Sequence, residues 1–435
     1  LKSPAGDLAG AEDLHSRILF ENEPGHTLLI ASSGTGRVTE ARGMFRMHER
    51  PWLHYSNFSV DKVEIEAPGT RNQTIWLRGK LSALHDLVSR KASIGFGAIA
   101  VDTLSVTAST DFDVQDCSLS IVARSRPEEH FLGFGEQFTK FDLKGERVPV
   151  LVSEGGIGRG LQPLTFVANL LAGAGGDWST SYRPLSECIT TDLRHFLWGG
   201  ERYESCDLRD PHRALFKTFA NYNQLQVRAA STPSDLLPRK WRSTTKFPEW
   251  VYRGAIIGMQ GGTARVREVY ERLKQDGVPV AAFWLQDWCG QRKTSFGKQL
   301  WWNWELDQER YPKWDELRDA LRRDDVRIMT YVNPFLVDME ARRPVKRNLF
   351  REAQEQGFLV TKRGGAPYLI PNTDFSAGLV DLQNPRAREW MVSVLRQQVI
   401  GVGASGWMAD FGESYPWDAA TVSYTHLRAH ETRED

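Results

Sequence analysis

Up to about residue 245 the apolar positions fall in short alternating stretches, among them Thr27 to Ala31, Thr74 to Leu77, Leu119 to Val122 and Leu225 to Val227, broken by Gly, Pro, Asn and Asp. Period-two runs bounded by turn formers predict antiparallel strands, and this many of them predict a β-sandwich. Segment 231–250, with Pro233, Pro238 and Pro248, reads as a linker. From Tyr252 the rhythm changes. Ala255 to Met259 is a short apolar run, Gly261-Gly262-Thr263 opens a stretch with Val266, Val269, Tyr270 and Leu273 on one helical face, and Gly277 closes it. Val280 to Leu285 is a second run, and Pro312 begins a helix carrying Trp314, Leu317 and Leu321. Val326 to Val332 is a third run. Asn384 and Pro385 supply an N-cap and first-turn proline for a helix with Met391, Val394, Leu395 and Val402, and Gly406 to Ala409 is a fourth run.

Repeated β-α units predict a parallel sheet, for which the eightfold β/α barrel of about 250 residues is the commonest large form. About half of such a barrel fits before residue 435. The expected fold class is therefore β plus α/β: an N-terminal antiparallel β-sandwich over 1–245, then the first half of a (β/α)8 TIM barrel over 246–422.

Composition narrows the function. With 41% hydrophobic and 25% charged residues the chain has the makings of a substantial core. Lys plus Arg equals Asp plus Glu at 55 each, which removes an overall electrostatic case for nucleic acid, and no apolar run has the length of a membrane span. Cys117, Cys188, Cys206 and Cys289 are scattered, without the spacing of a zinc site or a disulfide framework, and leave the compartment open. Asn57-Phe58-Ser59 and Asn72-Gln73-Thr74 are glycosylation sequons of a kind that arises often by chance. The chain begins at Leu1 without Met, which keeps a secretory route open beside a cytoplasmic one.

A polar group follows each of the four apolar runs: Gln260, then Gln286 and Asp287, then Asn333, then Asp410. In a β/α barrel these positions converge on the C-terminal face, where active sites sit. Trp284, Trp288, Trp301, Trp302, Trp304 and Trp314 are six of the fifteen tryptophans, and indoles suit the faces of a sugar ring. Trp284 and Trp314 are expected in the core; for Trp301, Trp302 and Trp304 core and pocket stand open. Asp410, in Gly406-Trp407-Met408-Ala409-Asp410-Phe411-Gly412-Glu413, is a carboxylate on a short apolar strand, costly to bury unless paired or used. Retaining glycoside hydrolysis needs two carboxyl groups, one to attack and one to protonate the leaving oxygen. Asp410 suits the first; Asp287 and Glu413 are local candidates for the second, with a salt bridge or hydroxyl binding as the other explanation for each.

Residues Tyr252 to Glu413 resemble the catalytic barrel of glycoside hydrolase family 31, and in detail its sulfoquinovosidase branch. The carrying segments are Gly258-Met259-Gln260-Gly261-Gly262-Thr263, Trp284-Leu285-Gln286-Asp287-Trp288, Thr294-Ser295-Phe296-Gly297-Lys298 through Trp302-Asn303-Trp304, Tyr331-Val332-Asn333-Pro334 and the Asp410 segment. Gly133-Phe134-Gly135-Glu136-Gln137-Phe138 and Ser153-Glu154-Gly155-Gly156-Ile157-Gly158-Arg159-Gly160 are similar to the loop, here 131–160, that the family's N-terminal domain sends to the active site. The resemblance implies a retaining, exo-acting α-glycosidase without metal or organic cofactor, acting on small α-glycosides, with Asp410 as nucleophile. It places Gln260, Gln286 and Trp302 at the sugar and sulfonate pocket, and Asp287, Gln299 and Glu136 are further candidate substrate contacts. Gln299 stands where the branch carries an arginine for the sulfonate, and a neutral amide does not match a guanidinium against an anion. Arg292, Lys293 and Lys298 are the neighbouring cations, expected on a solvated loop; sulfoquinovosides, glucosides and galactosides stay open as substrates.

In the family the acid/base carboxylate sits on a later barrel element than the 25 residues that follow Asp410, so it is expected to be absent from this chain. Ser423 to Thr432 resembles a translated sequencing adapter, and 423–435 is expected to be a non-native tail on an inactive fragment. His426 and His430 have helical metal-pair spacing without a third ligand. Gly156 to Gly160 is expected to be a turn that opens no helix. The other function classes are a catalytically silent carbohydrate-binding protein of the same fold and a structural partner with a Trp-rich surface.

Overall fold

The computed structural model describes residues 27–420 apart from 42–43, 68–72, 101, 114–116, 157, 174, 200–202, 237–245, 296, 341–344, 373 and 413–414. It is mostly β-sheet with a few helices, in two units, Leu1–Ser243 and Thr244–Asp435.

The first unit holds two antiparallel sheets. One has six strands in the order Met44–Tyr55, Leu29–Ala41, Cys117–Arg124, Arg213–Thr218, Glu204–Asp207 and Arg147–Val150. The other has eight, running from Asn57–Glu66 through Thr103–Thr110 and Tyr222–Ala229 to Phe131–Gly135. Every second residue of Thr103–Thr110, Arg213–Thr218 and Tyr222–Ala229 turns inward, because alternate side chains of a strand face opposite sides. Leu119, Ile121 and Phe216 of one sheet share a single apolar core with Ile94, Val106 and Leu225 of the other. Arg194 meets the fully buried Glu129 at 2.5 Å, pairing a charge that burial alone would penalise. Gly158 and Gly160 have positive φ, as a turn requires, but a helix, Pro163–Ala172, follows at once and corrects the expectation that none would.

The second unit is organised by a parallel sheet in sequential order: β1 (Ala255–Met259), β2 (Val280–Leu285), β3 (Arg327–Val332) and β4 (Trp407–Ala409). Parallel neighbours need long crossovers. Helix α1 (Gly262–Gln275) joins β1 to β2, α2 (Trp314–Arg323) joins β2 to β3, and α3 (Leu349–Glu355) with α4 (Pro385–Val394) lies between β3 and β4. Val266, Leu317, Leu321, Leu349 and Met391 bury the inward helix faces in one core. Helix α2 starts two residues later than Pro312 because Lys313 is left-handed, at φ 54°. Asn384 caps α4 by accepting from the Arg386 N–H, and a π-turn over Leu395–Ile400 extends that helix. The segment read as a linker includes a short turn of helix, Pro233–Leu236, and a 3-10 turn, Glu249–Tyr252.

Two features of this unit had no signal in the apolar pattern. A hairpin pairs Gln291–Thr294 with Gly297–Leu300, and a small antiparallel sheet joins Phe335–Leu336, Ser376–Leu379 and Leu369–Pro371. Of the tryptophans, Trp314 is core as expected, Trp304 is fully buried and Trp302 nearly so, and Trp284, expected in the core, is only half-buried.

Candidate functional site

Because β1 to β4 are parallel, the residues just beyond their C-terminal ends lie along one edge of the sheet. At the first two ends three amides form a chain: Gln260 Nε2 donates to Gln286 Oε1 at 2.5 Å, and Gln291 Nε2 donates to Gln260 Oε1 at 2.7 Å. Gln260 is exposed, Gln286 and Gln291 half-buried, and the Gln291 Oε1 has no donor of its own. Such a rim of fixed amides offers both donors and acceptors to hydroxyl groups.

Asp287, one residue on, is turned away from that rim. Its side chain is fully buried, Oδ2 accepts from the Gly261 N–H at 3.0 Å and from Arg310 Nε, and Oδ1 accepts from the Tyr311 hydroxyl. Burial first, then the Asp287 charge, pushes the Tyr311 phenol far above its ordinary range. Of the explanations the sequence left open for Asp287, the geometry is that of the salt bridge.

Asp410 lies just past β4. The strand is partly exposed rather than buried, and so is Asp410 itself. Its backbone N–H donates to the Val332 carbonyl at 3.1 Å, and its Oδ2 accepts from the Tyr331 hydroxyl at 2.7 Å. Tyr331 is held in turn: Asn333 Nδ2 donates to its hydroxyl at 3.2 Å, and Trp288 Nε1 donates to its carbonyl at 2.8 Å. Burial, then the bond to Asp410, raises the Tyr331 phenol well above its ordinary value, so it stays a donor. Tyr331 and Asn333 are two apart on one strand and share a face, a signal present in the sequence that went unused for Tyr331.

Next to Asp410, Phe411 has a left-handed backbone, φ 52°, and its ring packs on Trp302 at 5.9 Å between centroids. Trp302 also meets Phe335 at 5.4 Å and Phe375 at 5.5 Å. The hairpin beside this cluster is tied down at its turn, where the Ser295 N–H and hydroxyl donate to Asp374. Gln299 sits on the hairpin directly opposite Arg292, and both are half-buried, while Lys293 and Lys298 are exposed. Arg292 is thus a strand residue among rings and not on a solvated loop. Gln291 and Phe375 carried no sequence signal, Gln291 being brought in by the hairpin and Phe375 lying 84 positions after it.

Glu136 belongs to the first unit, where its carbonyl accepts from the Ser181 hydroxyl at 2.6 Å and its N–H donates to Arg183 O at 3.0 Å. Glu413, Phe296, Ile157, Asn72 and the His426–His430 tail lie outside the described residues. Asn57, of the other sequon, is exposed and donates to Asp86 at 2.9 Å. All four cysteines are buried thiols. Among the described residues no cluster of three or more His, Cys, Asp or Glu is arranged to hold a metal, and no helix is long and apolar enough to cross a membrane.

Residues 244–434 match the glycosyl hydrolases family 31 TIM-barrel domain. The chain is 33% identical over 298 residues to the sulfoquinovosidase of Escherichia coli K12, an alignment covering 68% of this chain and 43% of that protein. It is 29% identical over 417 residues to the sulfoquinovosidase of Agrobacterium fabrum, covering 93% and 57% respectively. A family 31 sulfoquinovosidase from E. rectale, solved with an aza-sugar inhibitor, superposes with a TM-score of 0.81 at 28% identity, over 92% of this chain and 57% of that one. The chain spans about half the length of these relatives. A domain match that takes in all four parallel strands and Asp410, with relatives of one kind in both sequence and structure, makes this chain a member of glycoside hydrolase family 31.

Proposed function

We propose that the protein is a retaining exo-α-glycosidase that acts on terminal α-linked hexopyranosides, with Asp410 as nucleophile. The fold is then an antiparallel β-sandwich followed by the first half of an eightfold barrel, and Gln260, Gln286, Trp302 and Gln299 line the sugar. The observation that carries this reading is the half-exposed Asp410 at the end of β4, oriented by the Tyr331 hydroxyl at 2.7 Å. One oxygen is engaged by that donor, which leaves the other to attack the anomeric carbon. In this reaction class the C–O bond to the aglycone breaks as the carboxylate–sugar bond forms, a second carboxyl protonates the leaving oxygen, and water then releases the sugar. The described residues supply the first carboxylate, so the step proposed for them is glycosyl transfer to Asp410 from a leaving group that departs without a proton, such as fluoride. Asp287, locked to Arg310 and Tyr311, is not that proton donor. The amide chain Gln286–Gln260–Gln291 suits ring hydroxyls, and similarity to sulfoquinovosidases makes a sulfonated hexoside one of the substrates in view, beside glucosides and galactosides.

The test separates this from a silent sugar-binding protein of the same fold. An activated fluorosugar whose fluoride leaves without a proton should alkylate Asp410, seen by mass spectrometry as a glycosyl adduct on its peptide. Sugar binding without an adduct would favour the silent binder.

A further inference from the structure

Arg292 is held in a way that no other half-buried arginine described in its unit matches. Arg310, Arg318, Arg327 and Arg347, similarly half-buried, each face a carboxylate. Arg292 faces rings instead: its guanidinium carbon lies 4.2 Å from the Trp301 centroid and 3.6 Å from that of Phe375. Its Nη2 donates to the Leu300 carbonyl at 3.3 Å, while the buried Nε has no acceptor. No ion pair is formed with it among the described residues. Burial pushes the guanidinium down to about 10, the mark of a cation removed from water without an anion in return.

Position makes this more than an awkward packing detail. Arg292 and Gln299 are directly opposite on the hairpin, so their side chains leave the same face with Cβ atoms about 5 Å apart. An oxygen that a residue at 299 could touch is also within the span of an arginine at 292. The rings over Arg292 continue to the nucleophile, Phe375 on Trp302 and Trp302 on Phe411, the neighbour of Asp410. Stacking between aromatic faces fixes the plane of a guanidinium and leaves its edge for a ligand.

We propose that Arg292 is the specificity-determining cation of the sugar site, receiving a fixed anionic substituent of the hexoside, of sulfonate or similar class, at the position where Gln299 supplies none. This rests on the glycosidase reading and deepens it. The anion completes the empty half of an ion pair that the fold has already desolvated, and Gln299 contributes a neutral hydrogen bond beside it.

The test uses the full 435-residue chain and paired probes, methyl α-glucoside and its 6-deoxy-6-sulfonate counterpart, with binding read by calorimetry. The unaltered protein should favour the sulfonate. Arg292→Met should collapse the ratio of the two dissociation constants by about tenfold to a hundredfold, the scale of a lost charged hydrogen bond. Arg292→Lys should keep part of the preference, and Gln299→Arg placed in the Arg292→Met protein should restore it. If Arg292→Met does not fold, the Lys variant carries the comparison. A ratio unmoved by either variant, or equal loss of both sugars at an unchanged melting temperature, would overturn the assignment and show a purely structural arginine. A glucoside bound with no sulfonate preference would overturn it too, while leaving the glycosidase reading in place. Silence toward both probes, and toward methyl α-galactoside tested beside them, would overturn that reading and this one together.

Discussion

The ends of β2 and β4 both present a carboxylate, and the protein treats the two in opposite ways. Asp287 is fully buried and takes three donors, one of them the Arg310 cation. Asp410 is half-exposed and takes one side-chain donor, the neutral Tyr331 hydroxyl. Asp410 is the first residue past β4 and Asp287 the second past β2, and that one-residue step accompanies the change from a half-exposed to a fully buried carboxylate. A carboxylate surrounded by donors is a fastener that ties the β1 and β2 ends to the segment before α2; a carboxylate steadied by one neutral donor keeps an oxygen free to react.

The sharpest way to break this contrast is at Asp410. Asp410→Asn should abolish adduct formation with the activated fluorosugar, a loss of at least about a thousandfold, with a melting temperature close to that of the parent protein. Asp287→Asn should do the reverse in kind. It leaves Arg310 and the buried Tyr311 hydroxyl without their anion, and the unfolding free energy from urea titration should fall by about 3 kcal/mol or more. Tyr331→Phe sits between them: about 1 kcal/mol of stability and about a tenfold slower adduct formation, since it removes one hydrogen bond from the reacting group.

Alkaline pH sharpens the comparison further. Tyr311 and Tyr331 both have phenols raised by burial and by their carboxylate partners, above the value near 10 of an unfolded tyrosine. A raised acid gives stability that is present below the unfolded value and lost as pH climbs above it, as the unfolded chain releases protons the folded one retains. Denaturation midpoints should fall above about pH 10, and less so in Tyr311→Phe than in the parent. The smallest effect is expected at Arg292→Met, whose melting temperature should hold or rise, because an unpaired desolvated cation is removed, whereas Arg310→Met should lower it.

Legibility in the sequence followed the reach of the interaction. The strands Cys117–Arg124 and Tyr222–Ala229 could be read from the stretches Leu119 to Val122 and Leu225 to Val227, and the four parallel strands from short apolar runs, since these patterns are local. Helix α4 could be read from Asn384 and Pro385. Asp410 stood out because apolar neighbours framed it. The hairpin Gln291–Leu300 did not, because Gln, Arg and Lys alternate with nothing, and its place is set by Asp374 and Phe375 far along the chain. The partners of Asp287 and the role of Tyr331 were invisible for a similar reason: those partners are 23 or 24 and 79 residues away, at a separation no local pattern records.

One further consequence comes from Phe411. A bulky residue at φ 52° is an uncommon conformation that costs about 1 kcal/mol or more, and it persists only where its surroundings insist on it. Here the insistence comes from Trp302 and Phe335, which grip the ring like a wedge in a joint. The chain leaving Asp410 is thereby bent one way and locked, so the direction of its carboxylate is set by the fold. A glycine at 411 would relieve the bend and also release the latch, trading a calmer backbone for a carboxylate free to wander.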